Sequence, residues 1–105
     1  MIIIDEIISR VISYVPVGSS VNEEVINFTR GWLTEFVDKL EGFEIPHCAI
    51  DLNGDIELEW ICGCNSLSLF FSKDSVEYIL TRDSMVLEEG YCKDLIRIWN
   101  MLRKR

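Results

Sequence analysis

Pro46-His47-Cys48-Ala49-Ile50-Asp51-Leu52-Asn53-Gly54-Asp55-Ile56-Glu57-Leu58-Glu59-Trp60 is the stretch that decides the fold. Asn-Gly between two runs of alternating apolar and polar residues is the strongest short hairpin signal a sequence carries. Side chains of a strand point alternately to opposite faces, so an acceptable register gathers the apolar residues on one side. A three-residue turn, Asn53-Gly54-Asp55, meets that condition and pairs Leu52 with Ile56, Ile50 with Leu58 and Cys48 with Trp60. Downstream, a four-residue turn at Gly63-Cys64-Asn65-Ser66, or one residue earlier, pairs Trp60 with Leu67, Leu58 with Leu69 and Ile56 with Phe71. A tight turn near Lys73-Asp74 pairs Phe71 with Val76, Leu69 with Tyr78 and Leu67 with Leu80. All three choices agree on one inner face. A short fifth strand, Met85 to Glu88, follows Arg82-Asp83.

Helical periodicity flanks this meander. Ile4, Ile7, Ile8, Val11, Ile12 and Val15 fall on one face of a helix over Ile3–Val15, ended by Pro16 and Gly18. Ser20 with Glu23 three residues on forms a capping box for a second helix. Its stripe is Val25, Phe28, Trp32, Leu33, Phe36 and Leu40, with Gly42 as the C′ residue. Gly31, mid-helix, is read as a point of close packing. A third helix, Tyr91 to Arg103, turns Leu95, Ile98, Trp99 and Leu102 inward and places Arg103-Lys104-Arg105 at its negative end. The expected architecture is a single α+β domain over residues 1–105: two N-terminal helices, an antiparallel four- or five-stranded meander sheet and a C-terminal helix, packed as a two-layer sandwich.

Composition agrees with one domain. The chain has 105 residues, 18 acidic, 10 basic and one histidine, for a net charge of -8. A chain of this length buries roughly two-thirds of its unfolded surface. The negative balance argues against direct binding to nucleic acid or to an anionic membrane, both of which want a basic face. No apolar run reaches the ~20 residues of a membrane span. Met1-Ile2-Ile3-Ile4-Asp5-Glu6 does not read as a signal peptide, so the protein is expected to be cytoplasmic.

The registers also fix what points away from the helices. One expected row is Asp51, Glu57, Phe70, Glu77; the next is Ala49, Glu59, Ser68, Ile79; a third is His47, Ile61, Ser66, Thr81. Carboxylates thus surround Phe70, with Ile61 and Ile79 nearby. Like charges placed directly opposite destabilise a sheet. The charge is also concentrated there: residues 41–89 hold 11 acids and 2 bases, while residues 90–105 hold 1 acid and 5 bases. Such a face reads as a surface for a basic, nucleic-acid-binding protein, with Phe70 as anchor. It also reads as a solvated face that keeps a small protein in solution, or as a homodimer seam through Phe70, Ile61 and Ile79.

Reactive residue types are sparse. Cys62-Gly63-Cys64 lies in a turn that the register brings near Pro46, beside His47 and Cys48, but the spacing is not that of a zinc site. His47 and Cys48 are adjacent on a strand and face opposite sides, so they form no dyad. Glu57 and Glu59 stand about 7 Å apart on one face, on a sheet expected to lack a pocket. No phosphate loop, dinucleotide fingerprint or nucleophile elbow is present. Trp32, Trp60 and Trp99 are read as core.

The stretch Pro46–Trp60 resembles a recurring pattern in small, mostly uncharacterised bacterial and phage proteins. In that pattern a helix leads to a proline, a strand, an Asp/Asn-Gly turn and a strand ending Leu-Glu-Trp; further strands and a last helix follow. Asn53-Gly54, Ile56, Leu58, Glu59 and Trp60 carry the match, and the element order matches over residues 20–102. Where such proteins often have an aromatic- and glycine-rich segment before the second helix, this chain has Tyr14-Val15-Pro16-Val17-Gly18. Many come from mobile or defence-related loci. The resemblance implies the company of antitoxins and of inhibitors of nucleic-acid-targeting defence complexes, anti-CRISPR proteins among them.

The expected function is a non-enzymatic acidic binding module, an inhibitor acting by nucleic-acid mimicry through Asp51, Glu57, Glu59, Phe70, Glu77 and Ile79. The expected partner is a protein with a basic nucleic-acid-binding surface; no cofactor or metal is expected. The alternative is an obligate homodimeric structural or interaction protein of a mobile or defence locus. The narrow polar face of the first helix (Asp5, Glu6, Ser9, Arg10, Ser13) also points toward a homodimer.

Overall fold

Five strands pair in chain order in a computed structural model that describes residues 2–15 and 17–104. The elements are α1 (Ile2–Ser13), α2 (Glu23–Phe36) with a 3₁₀ turn at Val37–Lys39, β1 (His47–Ile50), β2 (Ile56–Cys62), β3 (Asn65–Phe71), β4 (Val76–Arg82), β5 (Met85–Tyr91) and α3 (Leu95–Arg103). Every strand pair is antiparallel. The helices cover one face: α1 packs on β1 and α2, α2 on β2 and β3, and α3 on β3. The expected α+β meander with helices on one side is therefore the fold.

The inner face is the alternating set read from the sequence. Ile56, Leu58, Trp60, Leu67, Leu69, Phe71, Val76, Tyr78 and Leu80 are buried, and with Ile4, Ile7, Ile8, Val11, Val25, Leu33, Leu95, Ile98, Trp99 and Leu102 they form one core. Trp32 is half-buried and packs its ring against Phe71, centroids 5.3 Å apart.

The β2–β3 and β3–β4 registers are the expected ones, Leu58↔Leu69 and Leu69↔Tyr78 among them. The β2–β3 turn is tighter than expected, the two residues Gly63-Cys64 between Cys62 and Asn65. The β1–β2 register differs. Ile50 pairs with Ile56 and Cys48 with Leu58, and Asp51 N–H donates to the Asp55 carbonyl at 3.0 Å, so the three-residue turn is Leu52-Asn53-Gly54, one residue earlier than expected. Asp51 is the reason: its Oδ1 accepts from the backbone N–H of Asn53 at 2.8 Å and of Asp55 at 3.0 Å, and its carbonyl accepts from Gly54 N–H at 3.0 Å, an Asx-type closure that sets the turn at this point. Leu52, expected inward, is exposed. Gly54 has φ +83 and is buried against Asn22, where a Cβ would come within 2.7 Å of the Asn22 Cβ. Only glycine suits that position.

Element ends differ in ways that capping and hydrogen bonding explain. The second helix begins at Glu23, not at Ser20, because Asn22 caps it by accepting from Glu24 N–H at 3.0 Å and Val25 N–H at 3.4 Å. The first helix ends at Ser13, with Tyr14 and Val15 bonded back in 3₁₀ fashion, and Ile12 is exposed rather than part of the buried stripe. Pro16 and Arg105 lie outside the described residues. Gly31 is exposed with open space beside it, so nothing packs against it as expected. The fifth strand runs to Tyr91, not Glu88: Cys92 N–H donates to Val76 O at 2.7 Å and keeps the chain extended. The third helix therefore starts at Leu95, where Asp94 caps it by accepting from Arg97 N–H at 3.1 Å. The β4–β5 turn, Asp83-Ser84, has φ +52 and +67, the mirror-image turn that matches strand twist.

Candidate functional site: the outer face of the sheet

The face away from the helices is organised by the ladder. One cross-strand row is Ala49, Glu57, Phe70, Glu77, Tyr91, and the next is His47, Glu59, Ser68, Ile79, Glu89. A third is Ile61, Ser66, Thr81, Val86, in which the Ser66 and Thr81 hydroxyls lie 2.6 Å apart. A shift of two residues preserves the face of every side chain. The corrected β1 register therefore leaves Glu57, Glu59, Phe70, Glu77 and Ile79 on the face that the alternation predicts.

Asp51 is the residue that moves. Expected opposite Glu57, it yields that place to Ala49 and sits in the loop, its carboxylate engaged with backbone N–H groups. The like-charge pair Asp51–Glu57 across the ladder does not exist. Asp51 still borders the site, because an open groove of about 370 Å³ runs beside Phe70 and is lined by Asp51, Asp55, Glu57, Ser75 and Glu77. The expectation of a sheet without a pocket is thereby corrected; Asp51 and Asp55, which close the β1–β2 turn, build one wall of this groove.

The electrostatics follow from crowding. Glu57 titrates above the ordinary glutamate value, first because it is partly desolvated and then because of the charge of Glu59. Asp55 is raised for the same two reasons, the second charge being Asp51. Glu57 and Glu77 flank Phe70 on neighbouring strands, about 10 Å apart across two strand spacings. None of the strand positions on this face is Lys or Arg, and His47 on the β1 edge is the one residue that can carry positive charge. Phe70 is half-buried, while Ile61 and Tyr91 are exposed. Chemically the arrangement offers fixed negative charge around an aromatic surface.

Two members of the face are not found by reading the sequence. Tyr91 and Glu89 join it because β5 is longer than expected. The alternation Val86, Glu89, Tyr91 is interrupted by a register irregularity between Leu80 and Thr81, which hides the period.

The thiols sit elsewhere. All four cysteines are free. The β1 ladder ends at the pair His47↔Glu59, so Cys62 is not beside Pro46 and His47 as expected. Cys62 and Cys64 instead line a groove with Asn65, Arg82, Asp83 and Lys104. A hydrogen bond to Asp83 raises the Cys64 thiol, burial raises Cys48, and burial pushes Cys92 up to about 11. Thiols held in the protonated form are poor nucleophiles and poor ligands. Among the described residues no group of three His, Cys, Asp or Glu is placed to hold a metal ion. Nor is any helix among them long and apolar enough to cross a membrane.

No protein-family model, curated protein or solved structure matches the chain.

Proposed function

We propose that this protein is a non-enzymatic binding module, an inhibitor whose acidic sheet face occupies the basic nucleic-acid-binding surface of a partner protein in the cytoplasm. One observation carries the reading: the strand positions of the outer face present Glu57, Glu59, Glu77 and Glu89 without a Lys or Arg among them, around a half-buried Phe70. Carboxylates about 7 Å apart along a strand offer a Lys- or Arg-lined groove a repeated negative charge, as phosphates do. Such complementarity steers association, and a central aromatic supplies the contact that survives once the charges have met. Ile79 extends the apolar part of the face beside Phe70. Asp51 contributes charge from the loop rim. The resemblance of Pro46–Trp60 to small proteins of mobile and defence loci points to the same class of partner.

The test is capture of partners from a host lysate at low and high salt. It is run beside a variant carrying Glu57→Gln, Glu59→Gln and Glu77→Gln, and beside Phe70→Ala. The expected result is a nucleic-acid-binding protein that is released by salt, lost in both variants and displaced by its own nucleic acid. A captured protein that holds its nucleic acid and this chain together overturns the reading, as does capture undiminished by the variants.

A further inference from the structure

The edge strand β5 is unlike the rest of the surface. It pairs with β4 on one side only, leaving a row of backbone N–H and C=O groups open along the other. Four of the eleven large hydrophobics exposed among the described residues lie on this one strand: Met85 at 72%, Val86 at 56%, Leu87 at 48% and Tyr91 at 65%. The opposite edge, β1, is four residues long and has α1 packed against it. Sheet edges are normally guarded by shortness, by proline, by charged side chains and above all lysine, or by a bulge. β5 is seven residues long and carries no Lys, Arg or Pro; a register irregularity opposite Leu80 and Thr81 is its one departure from a regular ladder.

We propose that β5 is an interface between two copies of this chain, each adding its β5 antiparallel to the other about a two-fold axis normal to the sheet. The strand is self-complementary in that arrangement. A two-fold near Glu88 sets the Met85–Leu87 half of one copy against the Glu89–Tyr91 half of the other. It also carries Asp83, just before the strand, toward Lys93 of the second copy, once on each side of the axis. Glu88, at the centre, is already engaged by the Arg97 guanidinium and the Tyr78 hydroxyl of its own chain, so two bare carboxylates do not meet there. A basic extended peptide from another protein would find one remaining carboxylate on this strand, Glu89, among four exposed apolar side chains.

The edge is about 23 Å long, which puts the contact at the small end of specific interfaces. A two-fold axis normal to the sheet keeps both outer faces on one side. The pair is a ten-stranded sheet whose acidic rows continue across the seam at Tyr91.

Sedimentation equilibrium of the whole chain, from about 1 to about 500 µM, tests this directly. The expected result is a reversible monomer–dimer equilibrium that persists at high salt, where binding through the acidic face is lost. Val86→Lys with Tyr91→Lys, and separately Lys93→Glu, each weaken the dimer about tenfold or more, with circular dichroism showing the fold intact. Should the double variant fail to fold, Lys93→Glu, on an exposed loop, decides alone. Asp83→Asn in the Lys93→Glu background restores part of the affinity. Hydrogen exchange of the β5 amides slows as concentration rises. A monomer at every concentration overturns the proposal, as does a dimer that none of these variants disturbs. Protection of β5 that appears only when a lysine-rich extended peptide is added also overturns it and assigns the edge to such a partner.

Discussion

Trp60 and Trp99 meet edge to face, their ring centroids 5.4 Å apart and their planes at 87°. Each indole N–H donates to a carbonyl of the same connecting segment, Trp60 to Glu44 at 2.8 Å and Trp99 to Glu41 at 2.7 Å. Phe43 lies against both rings, at 5.8 and 5.6 Å. The cluster ties β2, α3 and the chain leading into β1 at one point. Trp99→Ala is expected to lower stability by about 3–5 kcal/mol. Trp99→Phe keeps a ring, and Arg103 still donates to the Glu41 carbonyl, so its expected cost is nearer 1 kcal/mol. Urea unfolding of both variants measures the difference.

Asn65 is a buried polar residue at the start of β3 that acts as a cap for α3. Its Nδ2 donates to the carbonyls of Leu102 and Lys104, each at 2.9 Å, and its Oδ1 accepts from Arg82 Nε at 3.0 Å. Asn65→Ala leaves these groups unpaired, with an expected loss of about 1–3 kcal/mol. Asn65→Asp keeps the shape but aims a carboxylate at two carbonyls. At neutral pH it should be at least as damaging, with the last turn of α3 exchanging its amides faster in both variants.

Glu88 titrates at about 2, held down chiefly by the Arg97 guanidinium and also by the Tyr78 hydroxyl, which donates at 2.6 Å. A carboxyl depressed in the folded state adds stability above its unfolded value. That contribution is lost as pH falls toward 2. The melting temperature of the wild type should therefore drop over the acid range, and Glu88→Gln should flatten that part of the profile.

Glu57 carries the opposite sign. Partial burial and the charge of Glu59 raise it, so unfolding releases a proton more readily and the folded state is penalised once the pH exceeds its titration range. Glu57→Gln is expected to raise the melting temperature at pH 7. It should leave the temperature unchanged near pH 3, where both states are protonated. Under the proposed function the same substitution weakens partner binding, so stability and binding move in opposite directions.

The faces of the strands are legible in the amino-acid order. Leu58, Trp60, Leu67, Leu69, Tyr78 and Leu80 alternate with polar residues, and the requirement of one apolar face leaves little freedom in β2, β3 and β4. The acidic cluster with Phe70 follows from the same parity. Parity does not distinguish registers that differ by two residues. The β1–β2 connection can therefore be read with Leu52 opposite Ile56, although Asp51 closes the turn one residue earlier. The groove beside Phe70 depends on that turn and is hidden with it. At β5 the ladder irregularity and Gly90 obscure the alternation, so periodicity places Tyr91 in a helix although it stands beside Glu77.

By itself, then, the sequence determined which segments are helices and strands, their antiparallel order, and which side chains share a face. These depend on the 3.6- and 2-residue periods and on short-range turn chemistry, both written in neighbouring residues. Tertiary structure decided the rest. Asn22 lies against Gly54, and Asn65 closes the end of a helix 37 residues away. Cys92 bonds back to Val76 and prolongs β5. Each is a contact between residues distant along the chain, and each is specified by the geometry of packing.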